Sequence, residues 1–133
     1  MASRSIDSLS PELRGRAVAF LLECQRRGFE AMIYCTLRTL SEQAALYAVG
    51  RDLPGKVLTN AKPGDSLHNP DGDGWAWAFD AVPMMAGKPL WSDSQGLDAM
   101  GAAGESVGLQ WAGRWRGPLR ERLHFQMNGG RYA

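Results

Sequence analysis

The sequence has little cysteine, little histidine and almost no net charge. Its two cysteines, Cys24 and Cys35, form neither a CxxC pair nor a dense framework, so we expect reduced thiols in the core and no disulfide. The net charge of +1 gives no reason to expect a nucleic-acid partner. No run of 18 apolar residues occurs, so stable insertion into a membrane is not expected.

The bulk composition is that of one globular domain spanning residues 1–133, which we expect to be a monomer. Residues 1–9 are expected to be a loose arm. The N-terminal stretch MASRSIDSLSPELRGR lacks the apolar core of a signal peptide, so we expect the protein to accumulate in the cytoplasm where it is made. Near the C-terminus, arginines crowd either in a solvated loop or in a patch that meets an anionic polymer; they are Arg114, Arg116, Arg120 and Arg122.

Alternating helix and strand patterns predict an α+β fold. A Ser-Pro start at Ser10 and a stop at Gly28 bound a first helix, and Thr39 to Glu42 has the form of a capping box that opens a second helix, in which Ala45, Leu46 and Val49 can pack inward. The other predicted elements are strands at 29–36, 75–82, 109–111 and 123–127 and a helix at 94–107. Helices packed on one side of a small, mostly antiparallel sheet follow from this order.

Both histidines lie in short apolar segments that also carry a carboxylate. His68 belongs to SLHNPDGDGWAWAFD, which ends in Asp80, and His124 belongs to LHFQM, with Glu121 three residues earlier. A carboxylate such as that of Asp80 is costly to bury unless it is paired or binds a metal. Two imidazoles and one carboxylate form a catalytic zinc site with a fourth position open to water, and Glu121 is then a candidate general base.

These residues carry a family resemblance. Ser66-Leu67-His68 followed by Ala78-Phe79-Asp80 resembles the S-x-H…A-x-D signature of the zinc D-alanyl-D-alanine carboxypeptidase and L-alanyl-D-glutamate peptidase family. Glu121-Arg122-Leu123-His124 resembles the second signature of that family. The neighbouring segments 37–51, 59–69 and 108–126 are similar to small phage endolysins of the group, so that the resemblance spans residues 10 to 127.

The resemblance implies a Hedgehog/D-Ala-D-Ala peptidase-like fold and a zinc-dependent peptidoglycan peptidase. His68, Asp80 and His124 would be the zinc ligands. The first choice within the family is a phage endolysin that cleaves the L-alanyl–D-glutamate bond of stem peptides. It would reach the periplasm and the cell wall after a separate protein has permeabilised the membrane.

Two further site residues depend on the same resemblance. Arg38 matches the family arginine that holds substrate and stabilises charge on the attacked carbonyl; the alternative is a solvated surface arginine. Ser66 would contact substrate or support a ligand, or it would only bond its local backbone. Four tryptophans are expected in the core or at the rim, with one or two lining the groove: Trp75, Trp77, Trp111 and Trp115.

Other interpretations remain open. His68 and Asp80 are twelve positions apart, whereas seven is usual in the family, so Asp71 or Asp73 could compete as the ligand. The same loop resembles the start of a calcium site, although a polar, glycine-rich turn is favoured. The alternative functions are a D-alanyl-D-alanine carboxypeptidase, which more often carries an export signal, and a non-catalytic zinc-containing module that binds the cell wall.

Overall fold

The computed structural model describes residues 2–127, and its elements confirm the predicted α+β class. Three short 3-10 helices accompany three α-helices and five strands in this range. In chain order the main elements are α1 (Pro11–Arg26), β1 (Glu30–Cys35), α2 (Leu40–Ala48), β2 (Ala78–Met85), β3 (Lys88–Pro89), α3 (Ser94–Ser106), β4 (Leu109–Trp111) and β5 (His124–Met127).

The strands form one sheet in the order β1-β2-β5-β4, with β3 paired to the end of β2, and all these pairs are antiparallel. Asp80 on β2 is in register with Cys35 of β1 on one side and with His124 of β5 on the other. A bulge between Ile33 and Cys35 shifts the β1 register next to this point, and such bulges re-aim side chains. The sheet therefore places a candidate ligand on its central strand between two other chemically active side chains.

The helices α1 and α3 cover one face of the sheet. Phe20 of α1 packs on Phe79 and Phe125 of the central strands, with ring centroids 5.5 and 4.9 Å apart. Gly101 and Gly104 permit the approach of α3, because a Cβ on these residues would overlap the rings of Trp111 and Phe125 respectively. These glycines weaken helix propensity, but they are what brings α3 onto the sheet.

The expectation of a loose arm at residues 1–9 is wrong for residues 3–9. The backbone N–H of Ser3 donates to the Leu37 carbonyl, and the Thr36 N–H donates to the Ser3 carbonyl at 2.7 Å. Leu9 is fully buried. The backbone groups of Ser3 find their hydrogen-bond partners in the rest of the domain, and Leu9 is buried there. The segment is therefore an integral part of the fold.

Helix α2 begins with the predicted capping box, in which Thr39 accepts from the Glu42 N–H and Glu42 accepts from the Thr39 N–H. Its buried residue is Gln43, however, while Ala45 is exposed. The prediction that Ala45 packs inward is therefore wrong. The buried residue of α2 is polar because the buried side of this helix faces Arg38 and the site rather than the apolar core.

None of the helices within residues 2–127 has both the length and the apolar character needed to cross a lipid bilayer.

Candidate metal centre

Asp80 lies between the two histidines of the chain. Its Oδ1 is 3.1 Å from Nε2 of His68 and 3.3 Å from Nδ1 of His124. All three side chains are largely withdrawn from solvent, with 16% of the Asp80 side chain exposed. The structure thus brings together the three residues that the sequence predicts as metal ligands.

A backbone carbonyl orients the ring of His68. Its Nδ1 lies 2.9 Å from the Thr36 carbonyl oxygen, and since that oxygen can only accept, Nδ1 carries the proton. The backbone holds the residue as well, because the Arg38 N–H donates to the His68 carbonyl at 2.8 Å. His68 therefore presents Nε2 to Asp80 in a fixed orientation, as metal-binding histidines commonly do.

The electrostatics of this cluster indicate a place for a cation. Burial disfavours the charged form of His68, but the Asp80 carboxylate outweighs burial and raises the pKa of His68. Burial by itself would raise the pKa of Asp80, but the two histidines outweigh burial and hold this pKa below its usual value. The carboxylate therefore stays ionised. A buried carboxylate faced by two imidazole nitrogens is a donor set that fits zinc. A metal ion would take the place of the second proton of His68, the one on Nε2 that faces Asp80.

Cys35 is a neighbour of the site that the sequence did not reveal. Donor atoms of Cys35, His68 and Asp80 lie within 4.8 Å of one another, so these residues could also hold a metal ion. However, the Cys35 sulfur is 3.6 Å from Nδ1 of His68, the nitrogen that already donates to a carbonyl. We therefore favour the set in which His124 joins Nε2 of His68 and Asp80, with Cys35 behind the His68 ring. Only the strand register reveals this cysteine, because nothing in its local sequence does.

Glu121 stands at the open side of the centre. Its Oε2 is 3.6 Å from Nδ1 of His124, and 62% of its side chain is exposed. The His124 N–H donates to the Glu121 carbonyl at 3.3 Å and closes a turn before β5. This turn brings the Glu121 carboxylate beside His124 and leaves it exposed to solvent.

Arg38 is fixed in the wall of the site rather than solvated on the surface. Its Nη1 donates to Oε1 of Gln43 at 2.9 Å, and its Nη2 lies 3.5 Å from the Cys35 sulfur. Gln43 is fully buried and donates in turn to the Ala61 carbonyl at 2.8 Å. The charge of Arg38 is thus held beside the centre by a buried amide, which the sequence analysis did not identify.

Ser66 makes the local backbone bond that was its alternative interpretation. Its Oγ accepts from the His68 N–H at 3.1 Å, so it shapes the turn that delivers His68. Ser66 also lines the larger cavity described below, so contact with a substrate stays a prediction.

Asp71 is occupied by its own loop. Its Oδ1 accepts from the N–H groups of Asp73 and Trp75, both at 2.9 Å, and its Oδ2 accepts from the indole N–H of Trp77 at 2.6 Å. Both oxygens of the Asp71 carboxylate are thus engaged by groups of the same loop. The loop is therefore the polar, glycine-rich turn that the sequence favoured.

Two adjoining cavities of about 460 and 870 Å³ open around the centre. Both are lined by Tyr34, Arg38, Leu46 and Asp80. The larger one also contains His68, His124 and Glu121, together with Trp115, whose ring centroid is 5.7 Å from that of His124. Together the two cavities form a concave, partly apolar surface beside the centre, of the size that ligand-binding sites usually have.

The two sequence signatures predicted that both histidines, one aspartate and one glutamate would lie together. The antiparallel sheet directs both histidines at Asp80 and leaves the glutamate at the rim. Comparison with known proteins supports the resemblance, because the relatives that match the chain are L-alanyl-D-glutamate endopeptidases. No protein-family model matches the chain.

The individual relatives are L-alanyl-D-glutamate endopeptidases by name. The chain is 27% identical over 129 residues to the peptidoglycan L-alanyl-D-glutamate endopeptidase CwlK of Bacillus subtilis (strain 168), and the match covers 90% of this chain and 73% of CwlK. The crystal structure of the Serratia marcescens L-Ala D-Glu endopeptidase ChiX has a similar fold, with a TM-score of 0.62 and 19% identity over 96% of this chain and 88% of ChiX. This likeness confirms the predicted fold class.

Proposed function

We propose that the protein is a zinc-dependent peptidase that cleaves the L-alanyl–D-glutamate bond of peptidoglycan stem peptides. The observation that carries the proposal is the convergence of His68 and His124 on Asp80, with Glu121 beside them and Arg38 in the wall of the same groove. The names of CwlK and ChiX support the choice of bond.

His68, Asp80 and His124 would hold the zinc ion. Bound there, zinc would supply the Lewis acidity that polarises a carbonyl and makes water nucleophilic near neutral pH. The protein would contribute the fixed orientation of the ligands, since Thr36 sets the proton position on His68 and the sheet register places Asp80 opposite His124.

Glu121 would act as the general base. Its carboxylate lies next to the ligand cluster but is open to solvent, so it can accept a proton from the attacking water and pass it to the leaving amine. A residue that only supported the metal would not need this exposure. Arg38, held by Gln43, would stabilise the negative charge that develops on the attacked carbonyl oxygen.

In the cell, the protein would act as a phage endolysin. It would accumulate as a monomer in the host cytoplasm and reach peptidoglycan only after the membrane is permeabilised. The relatives CwlK and ChiX are named as endopeptidases, which favours cleavage within a peptide over removal of a terminal residue.

Product analysis tests the proposal. Purified protein is incubated with peptidoglycan, and the released fragments are identified by mass spectrometry and by labelling of new amino groups. We expect fragments with a new N-terminal glutamate. Release of free D-alanine alone would instead identify a carboxypeptidase, and retention on the wall without any product would identify a binding module.

A further inference from the structure

We propose that Gln126 and Gln110 are positioning residues that hold His124 in the orientation needed to bind the metal. This inference rests on the proposed zinc site and adds two residues that neither sequence signature includes. Oε1 of Gln126 lies 2.8 Å from Nε2 of His124, and Nε2 of Gln126 donates to Oε1 of Gln110 at 3.1 Å. The three side chains thus form a chain of hydrogen bonds that ends on a candidate ligand.

The sheet places these side chains on the same face. His124 and Gln126 are two residues apart on β5, so their side chains point to the same side of the strand. Gln110 of β4 is directly opposite Gln126 in the register, where side chains of neighbouring strands come into contact. The contacts therefore follow from the backbone pairing.

The direction of these hydrogen bonds decides which nitrogen of His124 is available to a metal ion. An amide has a donor end and an acceptor end. Since the donor end of Gln126 is directed at Gln110, its acceptor oxygen faces His124, and Nε2 of His124 must carry a proton to bond it. With Nε2 engaged by Gln126, Nδ1 is the nitrogen that a metal ion would bind, and it lies 3.3 Å from Oδ1 of Asp80.

His68 is oriented in the same way, but its partner is a backbone carbonyl instead of an amide side chain. The Thr36 carbonyl fixes the proton of His68 on Nδ1 and leaves Nε2 for Asp80. A carbonyl accepts only, whereas an amide side chain can turn over and present its NH₂ group. The bond to Gln110 favours the accepting orientation of Gln126, because turning Gln126 over alone would place its oxygen against the oxygen of Gln110.

Zinc binding to purified variants tests this inference. Gln126→Met keeps the length of the side chain but removes the acceptor, and we expect it to lose about 10- to 100-fold in zinc affinity. Gln126→Glu keeps an acceptor toward His124 and should retain most of the affinity. Gln110→Met leaves Gln126 free to turn over and should lose less than Gln126→Met. The dissociation constants are measured by competition with a chromogenic chelator.

Two controls separate positioning from general damage. Gln25→Met makes the same chemical change at an exposed residue of α1 and should bind zinc as the unmodified protein does. The melting temperature of each zinc-free variant reports its folding. A purely structural role for Gln126 would lower that melting temperature and would not be rescued by glutamate, whereas positioning lowers zinc affinity and is rescued.

The outcomes also separate this inference from the proposed function. If the unmodified protein binds zinc and Gln126→Met binds it equally well, only the positioning role is overturned. Equal losses in Gln126→Met and Gln126→Glu would overturn it too, because the acceptor would then be irrelevant. If the unmodified protein binds no zinc, both the metal centre and the positioning role are overturned.

Discussion

His124 lies directly opposite Asp80 in the pairing of β5 with β2, with its Nδ1 3.3 Å from the carboxylate oxygen. The two candidate ligands are therefore held by the hydrogen bonds of the sheet as well as by their own contact. Movement of one relative to the other would require the central strands to separate. Such rigidity is what a preorganised metal site needs.

The first prediction concerns zinc itself. The purified protein should contain one zinc ion per chain, and a chelator should abolish hydrolysis of peptidoglycan. Because a metal that binds only the folded state stabilises it, zinc should also raise the melting temperature. His124→Ala should lose the metal. Metal analysis and thermal unfolding measure these effects, and full activity in protein shown to be metal-free would contradict the metal centre.

The second prediction separates a base from a ligand at Glu121. Glu121→Gln keeps the size of the side chain but cannot accept the proton, so it should retain zinc and lose about 10²- to 10⁴-fold in hydrolysis. Glu105→Gln is a suitable control, since Glu105 pairs with Arg114 on the surface. Activity is followed by turbidity of wall suspensions. Loss of zinc in Glu121→Gln would make Glu121 a ligand instead.

The third prediction concerns Arg38. Arg38→Ala should lose on the order of 10²-fold or more in kcat/KM while it keeps its zinc, because the fixed charge beside the centre is removed. Arg114→Ala removes an exposed arginine that pairs with Glu105 and should have nearly normal kcat/KM. Kinetics on a soluble stem peptide measure both variants, and equal activity of the two would assign Arg38 to structure alone.

The fourth prediction decides between the two donor sets. Cys35→Ser should retain one zinc ion and lose no more than about 10-fold in affinity, the lower end of the losses for outer contacts, since Cys35 lies behind the His68 ring. A Cys35→Ser protein that no longer binds zinc would show that the thiolate is a ligand. Cobalt substitution adds a direct measurement, because a bound thiolate would produce a charge-transfer band that the predicted set lacks.

The fifth prediction concerns the packing of α3. A Cβ at position 104 would overlap the ring of Phe125, so Gly104→Ala should destabilise the fold by about 1–3 kcal/mol. Gly15→Ala, in an exposed position of α1 with no atom within 4 Å of the new methyl group, should instead stabilise by about 0.5–1 kcal/mol. Urea unfolding measures both, and a stabilising Gly104→Ala would show that α3 can shift.

Local signals predicted most of the fold. The Ser-Pro start of α1 and the capping box of α2 are signals that span only a few residues, and the structure has both helices where these signals place them. At α1 the proline is the effective part, because the Ser10 side chain makes no capping hydrogen bond. The strand predicted at 75–82 is observed at Ala78–Met85 instead. Trp75 and Trp77 bond the Asp71 carboxylate, and the apolar pattern alone could not reveal that tertiary contact.

The site was predicted only where a signature carried it. His68, Asp80, His124 and Glu121 are named by spacing and context, and the structure places them together. Cys35, Gln43 and Gln126 were missed because their roles arise from strand register and side-chain contacts between distant segments. The local sequence around each of these residues indicates only an ordinary core or surface position.

The self-contained loop at Asp71 has a consequence for how this site can vary among related chains. The loop closes on its own carboxylate and returns the chain to β2, so the number of residues between His68 and Asp80 does not set the distance between them. Insertions and deletions can therefore accumulate at this point without moving either side chain. The separation along the chain can then change while the two side chains keep the same positions in space.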